Sequence, residues 1–158
     1  MHIKEISKAY IAGFLDGDGS IYVKLKRSND YKYGFQVCPY VVFYQSQKNK
    51  IGLEKIKRIL KIGYLRARND GIYEYIIGDI GSIEKLMKCI IPYVVLKKEH
   101  ARLMLEIIAR KRKIKNCKDF LKLCSLVDRF KKLNYSKRRV NNSKEVRIFL
   151  KNKGLLTP

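Results

Sequence analysis

The chain has 158 residues, and its most unusual property is its charge. It carries 36 Lys and Arg against 14 Asp and Glu, a formal net charge of +22. Hydrophobic residues make up 46% of the chain, which excludes a disordered protein and leaves enough apolar surface for a core. A folded domain with such an excess of positive charge is typical of proteins that bind a polyanion, usually DNA or RNA. A lysine-rich composition from an AT-rich genome is the alternative, but that bias enriches Asn as well and does not favour a net charge.

Several classes of protein are disfavoured by the same composition. Apolar runs such as residues 89–96 are too short to cross a bilayer, so we expect no membrane partner. The N-terminal residues lack a signal-peptide pattern, and the four cysteines form no CxxC motif. We therefore expect an intracellular protein, in a prokaryotic cytoplasm or an organelle, with buried cysteines in a reducing compartment. With His2 and His100 as the only histidines, catalysis must depend on carboxylates, amides and lysines.

The first predicted element is a helix over Ile6–Leu15. Small residues recur at every fourth position, Ala9, Gly13 and Gly17, and so form one stripe on its surface. Two glycines cost a helix about 1 kcal/mol each relative to alanine, so a packing reason is favoured over accident. The stripe predicts the close approach of another helix.

The periodicity changes to two from Ser20 onward, which predicts a strand. Apolar and polar residues then alternate through Lys26, and a polar turn follows at residues 28–34. A second strand is predicted over residues 35–47, with Pro39 at a bulge or an edge. Residues 48–63 predict a short amphipathic helix that Gly63 stops. Its predicted inward residues are Leu53, Ile56, Ile59 and Leu60.

Residues 64–78 predict a hairpin with an Asn-Asp-Gly turn at residues 69–71. Three helices follow at about 82–91, which Pro92 ends, at about 96–113 and at about 118–133. A final helix begins near Ser143 as the predicted cap. The order αββαββα followed by more helices predicts the α+β class, with an antiparallel sheet backed by helices in one domain, residues 1–158.

One face of this predicted sheet is polar and basic. Lys, Arg, Gln and Tyr on alternating strand positions suit a sheet in the major groove, where Arg pairs with guanine and Gln with adenine. An ordinary solvated face is the alternative, and the net charge favours nucleic acid. The residues predicted for this face are Tyr22, Lys24, Lys26, Gln36, Tyr44, Ser46, Arg66, Arg68 and Glu74.

The sequence Asp-Gly-Asp-Gly at residues 16–19 interrupts this basic pattern. It begins like an EF-hand loop, but Ile21 and Arg27 then occupy the positions of the turn glycine and the bidentate glutamate, which excludes that site. A simple helix-ending turn is the other explanation. However, carboxylates beside a DNA-facing strand repel phosphate, and a divalent cation between them removes that conflict.

The segment "YIAGFLDGDGSI" at residues 10–21 resembles the signature of the LAGLIDADG homing endonucleases, specifically the single-motif members that act as homodimers. The resemblance extends over nearly the whole chain, through "YKYG", "SQK", "IGYLRARNDGIYEYII", "PYVVLKKEHARLMLEII", "DFLKLCSLVD" and "LNYSKRRVNNSKEVR" in order. It implies the αββαββα fold and a homodimer in which the motif helices cross along Ala9, Gly13 and Gly17. Because the chain has one motif, each protomer would hold half an active site, and the DNA target would be close to palindromic.

The resemblance also implies the roles of individual residues. Asp18 and the main-chain carbonyl of Gly17 would bind metal, and Asp16 would have a structural role at the helix end. Gln47, with Gln45 as the alternative, would position the attacking water. Lys97, with Lys98 as the alternative, would lie near the scissile phosphate. Lys48 or Lys50 would supply a further basic residue, and Lys48 would contact DNA. Further phosphate contacts match Ser136, Lys137 and Arg139.

The expected function is therefore site-specific cleavage of both DNA strands to promote intron homing, by metal-dependent phosphodiester hydrolysis. The expected cofactor is Mg²⁺, with Mn²⁺ or Ca²⁺ as substitutes in the same site, and the expected partners are double-stranded DNA and a second copy of the chain. Three alternatives stay open: a maturase that binds its intron RNA, a catalytically inactive DNA-binding protein, and a ribosomal or structural nucleic-acid protein.

Overall fold

A computed structural model describes residues 3–133 and 141–156 of the chain. The predicted order αββαββα, followed by further helices, is confirmed. Its first part consists of α1 (Glu5–Asp18), β1 (Gly19–Arg27), β2 (Phe35–Ser46), α2 (Ile51–Leu60), β3 (Tyr64–Ala67), β4 (Ile72–Ile77) and α3 (Ile80–Ile90). The remaining helices are α4 (Lys98–Lys111), α5 (Cys117–Asp128), α6 (Phe130–Leu133) and α7 (Ser143–Asn152). Single turns of 3-10 helix occupy Gln47–Asn49 and Ile91–Tyr93.

The four strands form one sheet in the order β1-β2-β4-β3, in which β4 is antiparallel to both β2 and β3. The register places Glu74 of β4 between Tyr44 of β2 and Arg66 of β3. β2 is an inner strand, but β4 pairs with only part of its length, and the position of Pro39 at a bulge or an edge stays a prediction. The pairing of β2 with β4 begins at Val41, two residues after this proline, which has no N–H to donate.

The chain divides into two compact units, and β1 and β2 contribute residues to both. The first unit comprises Met1–Tyr22 and Pro39–Arg102, and the second comprises Val23–Cys38 and Leu103–Pro158. Since both units share two strands, this division does not test the predicted single domain. In the first unit, α1 packs against α3, and α2 packs against β3 and β4. In the second unit, α5 packs against α7.

Helix α1 is longer at its C-terminus than the sequence predicted. It includes Asp16, Gly17 and Asp18, and Gly19 is the C-cap whose N–H donates to the Leu15 carbonyl. A Cβ atom on Gly19 would lie only 2.7 Å from that carbonyl oxygen, so the close approach requires glycine. Asp16 and Asp18 therefore lie within the last helical turn, not in a loop.

Three details of the other helices differ from the prediction. Helix α2 ends at Lys61, whose φ of 55° provides the left-handed cap two residues before Gly63, and Ile59 is 40% exposed, not inward. The last helix is capped by Asn142, whose side chain accepts from two backbone N–H groups, and not by Ser143. The predicted helix over 118–133 is divided at Arg129 into α5 and α6.

The cysteines are less buried than predicted. Cys124 is buried, and burial raises the pKa of its thiol to about 12. Cys38, Cys89 and Cys117 are only half-buried. Within residues 3–133 and 141–156, no helix is both long and apolar enough to cross a membrane.

Candidate active site and nucleic-acid interface

The end of α1 is fixed to the segment that precedes α4. One carboxylate oxygen of Asp16 accepts from the backbone N–H of Val95 at 2.6 Å and of Leu96 at 3.1 Å. Its other oxygen accepts from the N–H of Lys97 at 2.9 Å. Asp16 thus satisfies three backbone donors, in agreement with the structural role expected for it.

Asp18 has a different environment from Asp16. It is exposed, and no described residue forms a hydrogen bond or ion pair with it. The C-terminus of a helix carries about half a negative charge, and cations are the usual side chains there. The last turn of α1 contains no basic residue, so Asp18 adds its charge to this negative end without compensation from its own helix.

Lys97 lies at the same end of α1. Its ammonium group donates to the main-chain carbonyl of Asp16, two residues before Asp18. The structure therefore places the ammonium group of the predicted lysine at a carbonyl two residues before the predicted carboxylate on α1. Lys98, the alternative, is the first residue of α4.

Gln47 lies at the β3–β4 turn and forms no hydrogen bond with Asp18 or Lys97 among the described residues. Its side-chain amide donates to the Arg68 carbonyl at 2.6 Å, and its backbone N–H donates to the Gly71 carbonyl at 2.9 Å. Strand β2 ends at Ser46, so Gln47 lies one residue beyond it and not within the strand as predicted. The alternative Gln45 uses its side-chain oxygen to accept from the Ser46 N–H at 2.9 Å.

Lys48 and Lys50 differ in their ion pairs. Lys50 lies 3.9 Å from the carboxylate of Glu54, whereas no described carboxylate pairs with Lys48. Both lysines are exposed. Of the two, Lys48 is therefore the one without a carboxylate among the described residues that competes with an anionic ligand.

The predicted small-residue stripe is exposed on α1. Cβ atoms built on Gly13 and Gly17 would meet no atom of residues 3–133 or 141–156 within 4 Å, and Ala9 is also exposed. Ile6 is 79% exposed and Tyr10 is 53% exposed on the same side of the helix. No contact within the described chain requires small residues at these positions.

The polar face of the sheet carries a group of tyrosines. The rings of Tyr22 and Tyr40 stack with 5.4 Å between their centroids, and Tyr44 lies opposite Glu74 in the register. Burial raises the pKa of Tyr22 to about 12 and also raises that of Tyr44. Both hydroxyls therefore stay protonated and able to donate at neutral pH.

Arg66 and Arg68 share one buried carboxylate. Arg66 Nε lies 2.7 Å from one oxygen of Glu74, and an Arg68 terminal nitrogen lies 3.3 Å from the other. Glu74 is only 4% exposed and both of its carboxylate oxygens are taken by these arginines, while its contact with DNA stays a prediction. It orients two arginines whose side chains are 56% and 43% exposed, and the hydrogen bond to Glu74 is the main cause that raises the pKa of Arg66. Arg68 also pairs with Asp70.

The remaining predicted DNA contacts have simple positions. Tyr22, Lys24 and Lys26 alternate with buried residues along β1, as predicted. Gln36 is exposed on β2, and Ser46 caps the turn at Gln47–Asn49. Ser136, Lys137 and Arg139 lie outside the described residues.

Sequence reasoning missed two features of this site. Tyr40 was not predicted on the polar face, although the alternation that selected Gln36 and Tyr44 also includes it. The anchoring of residues 95–97 by Asp16 had no local signal, because about eighty residues separate the partners along the chain.

Comparisons with known proteins agree with this arrangement. Residues 11–109 match the family model described as LAGLIDADG endonuclease. The chain is 34% identical over 142 residues to the DNA endonuclease I-CreI of Chlamydomonas reinhardtii, which covers 89% of this chain and 86% of that protein. It is 32% identical over 153 residues to the DNA endonuclease I-CvuI of Chlorella vulgaris, over 95% of this chain and 93% of that protein.

Solved structures show the same fold. A crystal structure of I-CvuI with its target, in the presence of calcium, superposes with a TM-score of 0.91 at 30% identity, covering 96% of this chain and 97% of that one. The archaeal intron-encoded homing endonuclease I-Vdi141I in complex with DNA has a TM-score of 0.85 at 22% identity, covering 96% and 99%.

Proposed function

The chain belongs to the LAGLIDADG endonuclease family, and we propose that it is a homodimeric homing endonuclease. It hydrolyses phosphodiester bonds in both strands of a long, near-palindromic DNA target and so promotes intron homing. One observation carries the catalytic part of the proposal: an exposed Asp18, without a partner among the described residues, at the negative end of α1 and beside the anchored Lys97. A protein that only binds DNA gains nothing from an uncompensated carboxylate near phosphates.

The donor atoms at the end of α1 fit a hard divalent cation such as Mg²⁺, for which Mn²⁺ or Ca²⁺ could substitute. Asp18 would bind through its carboxylate and Gly17 through its main-chain carbonyl, and Mg²⁺ prefers such oxygen ligands. No group of three or more His, Cys, Asp or Glu among residues 3–133 and 141–156 could hold a metal ion. One protomer therefore supplies part of a ligand set, and the partner's Asp18, DNA phosphates and water would complete it. When bound, the cation would stabilise the negative charge that develops during phosphoryl transfer.

The other residues have separable roles in the reaction. Gln47 is fixed by its amide to the Arg68 carbonyl, so its side-chain oxygen is oriented and can accept a hydrogen bond from the attacking water. Lys97 places an ammonium group at the end of α1, where it would offset charge on the scissile phosphate. Lys48 adds a further cation near Gln47.

Homodimerisation would explain the exposed face of α1. Ile6, Tyr10, Gly13 and Gly17 recur at spacings of three and four residues and therefore share one side of the helix. Among the described residues the glycines have no neighbour that demands their size, and Ile6, which is 79% exposed, and Tyr10, which is 53% exposed, form an apolar patch beside them. Two copies crossing here would bury this face and bring both Asp18 residues to one axis.

The function is tested by cleavage of a plasmid library with randomised half-sites. We expect double-strand cuts at a near-palindromic sequence in Mg²⁺ and no cuts in EDTA. Recovery of intact plasmids under all metal conditions, with protein that binds the DNA, would contradict the endonuclease and favour a binding protein. Binding to intron RNA in preference to duplex DNA would favour the maturase.

The homodimer is tested by sedimentation of the wild type and of Gly13→Leu. The wild type, at 18.6 kDa per chain, should sediment as a dimer. The variant should stay folded, since its Cβ has free space, but sediment as a monomer and lose cleavage. Ser125→Leu, which adds the same side chain to the exposed surface of α5, is the control and should stay dimeric. A Gly13→Leu variant that is still dimeric would place the interface elsewhere.

A further inference from the structure

The loop between β1 and β2 is built against the last helix of the second unit. Its ends are closed by a hydrogen bond from the Ser28 N–H to the Gly34 carbonyl at 3.1 Å, and the Gly34 N–H donates to Tyr31 at 2.7 Å. Gly34 has a φ of 68°, and a Cβ atom there would lie 2.1 Å from the ring of Phe149. Glycine is therefore required both by the backbone and by the ring of α7 that packs on it.

Phe149 forms one side of an aromatic seat for Arg27. The Arg27 guanidinium lies 5.5 Å from the centroid of the Phe149 ring and 5.8 Å from that of Phe35. The two rings meet edge to face, with centroids 5.5 Å apart at 90°. Cations within about 6 Å of a ring face are attracted by its electrons, and two rings restrict the rotamers of a long side chain.

Arg27 differs from Arg66 and Arg68 in its charge balance. No carboxylate of the described residues forms an ion pair with it, and Asp30 in the adjoining loop bonds to Ser28 instead. A second cation, Lys153, lies 6.0 Å from the centroid of the same Phe149 ring. The seat therefore holds an exposed guanidinium in place by its faces and leaves its N–H edge and its charge available to an anion.

The position of Arg27 on β1 indicates which anion its guanidinium group binds. Side chains alternate along a strand, so Arg27 projects to the side opposite Lys24 and Lys26, which lie on the predicted base-reading face. A side chain that projects from the opposite face, at the last residue of the strand, cannot reach the base edges of a groove in which the strand lies. It can reach the phosphate backbone that borders the groove.

We propose that Arg27, seated on Phe35 and Phe149, binds a backbone phosphate of the DNA target at the outer part of each half-site, and that Phe149 is a positioning residue for this contact. The inference rests on the proposed function, since it needs duplex DNA as the ligand. It extends that function by giving α7, which carries no residue of the active site, a part in DNA binding.

The test measures binding of a target duplex in Ca²⁺ between 50 and 200 mM salt. Log K falls with log salt, and each lost phosphate contact makes this slope shallower by about 0.9. Arg27→Gln should therefore make it shallower by about 1.8 per dimer. This difference corresponds to about a tenfold smaller loss of affinity over that salt range. Base preference, read from a library of half-sites, should not change. Phe149→Leu keeps the charge, so the slope should stay at the wild-type value while affinity falls for all sequences alike.

The control is Arg147→Gln, which removes the same charge from α7. Arg147 is two residues from Phe149 and therefore lies on nearly the opposite side of the helix. The slope of log K against log salt for Arg147→Gln should therefore match that of the wild type. A neutral methylphosphonate at the contacted phosphate should weaken wild-type binding but not that of Arg27→Gln.

Two results would overturn the inference. An Arg27→Gln slope equal to the wild-type slope, with a lower melting temperature, would make Arg27 only a packing residue of α7. A changed base preference in Arg27→Gln would make it a base-reading residue. A wild-type protein that does not bind any duplex would overturn the inference together with the proposed function, and the wild-type binding curve distinguishes that outcome from the other two.

Discussion

The two units of the molecule divide charge very unequally. The first unit contains 15 Lys and Arg and 9 Asp and Glu, a net charge of +6, whereas the second contains 21 and 5, a net charge of +16. The first unit also contains all of the predicted catalytic residues. Carboxylates that act on phosphates must be placed individually, while attraction of DNA needs only an excess of cations.

The arginines of the two units show the same difference at the scale of single residues. Arg66 and Arg68 of the first unit are oriented by Glu74, which compensates part of their charge. Arg27 of the second unit is oriented by aromatic rings, which leave its charge uncompensated. Compensated arginines suit the recognition of base edges, where direction matters, and uncompensated ones suit phosphates, where charge dominates.

The largest expected effect comes from removing the carboxylate of Asp18, which should separate cleavage by the first unit from binding of DNA. Asp18→Asn should lower the cleavage rate by more than about a hundredfold, because it removes a charged ligand of the proposed cation. Binding should stay near the wild-type level or become tighter, since a negative charge near phosphates is lost. Cleavage assays in Mg²⁺ and gel shifts in Ca²⁺ measure both. A variant that still cuts at a comparable rate would sink the assignment of Asp18.

A smaller effect is expected from Asp16, two residues away. Asp16→Asn replaces a carboxylate that accepts three N–H groups by a single amide oxygen and an NH₂ group, which should lower the free energy of unfolding by about 1–3 kcal/mol. Urea denaturation measures this, with Asp18→Asn as the matched control that should not lose stability. Equal destabilisation by both variants would show that the two aspartates do not have separate roles.

The smallest expected effect comes from making the first unit more like the second. Glu74→Gln removes the compensating charge, so binding of duplex should depend more steeply on salt, by up to about one unit of slope per protomer. Discrimination at the base pairs that we expect Arg66 and Arg68 to contact should fall, because a neutral amide orients two guanidinium groups less firmly. Salt titrations and a target library measure these changes. The control Glu84→Gln makes the same charge change on α3, and an identical response in both variants would argue against a special role for Glu74.

Much of the sheet and of α1 could be predicted because their signals are local. Alternation along β1 selects Tyr22, Lys24 and Lys26 for one face, and the Asn-Asp-Gly turn fixes the hairpin that carries Arg66. The motif itself selects Asp18. Local signals fail at helix ends: Lys61 adopts a left-handed conformation although Gly63 is the better sequence signal, and Asn142 replaces Ser143 as the cap.

The sequence by itself determined the fold class and the order of elements, because periodicity and spacing are properties of neighbouring residues, and its resemblance to a known family identified the acidic motif. Only the tertiary structure decided that Asp16 fixes residues 95–97, that Glu74 is buried beneath two arginines, and that Phe149 occupies the space left by Gly34. Each of these depends on residues that are distant in the chain or on opposite strands. Their energetic value comes from burial and from three-dimensional direction, and no periodicity along the sequence encodes either one.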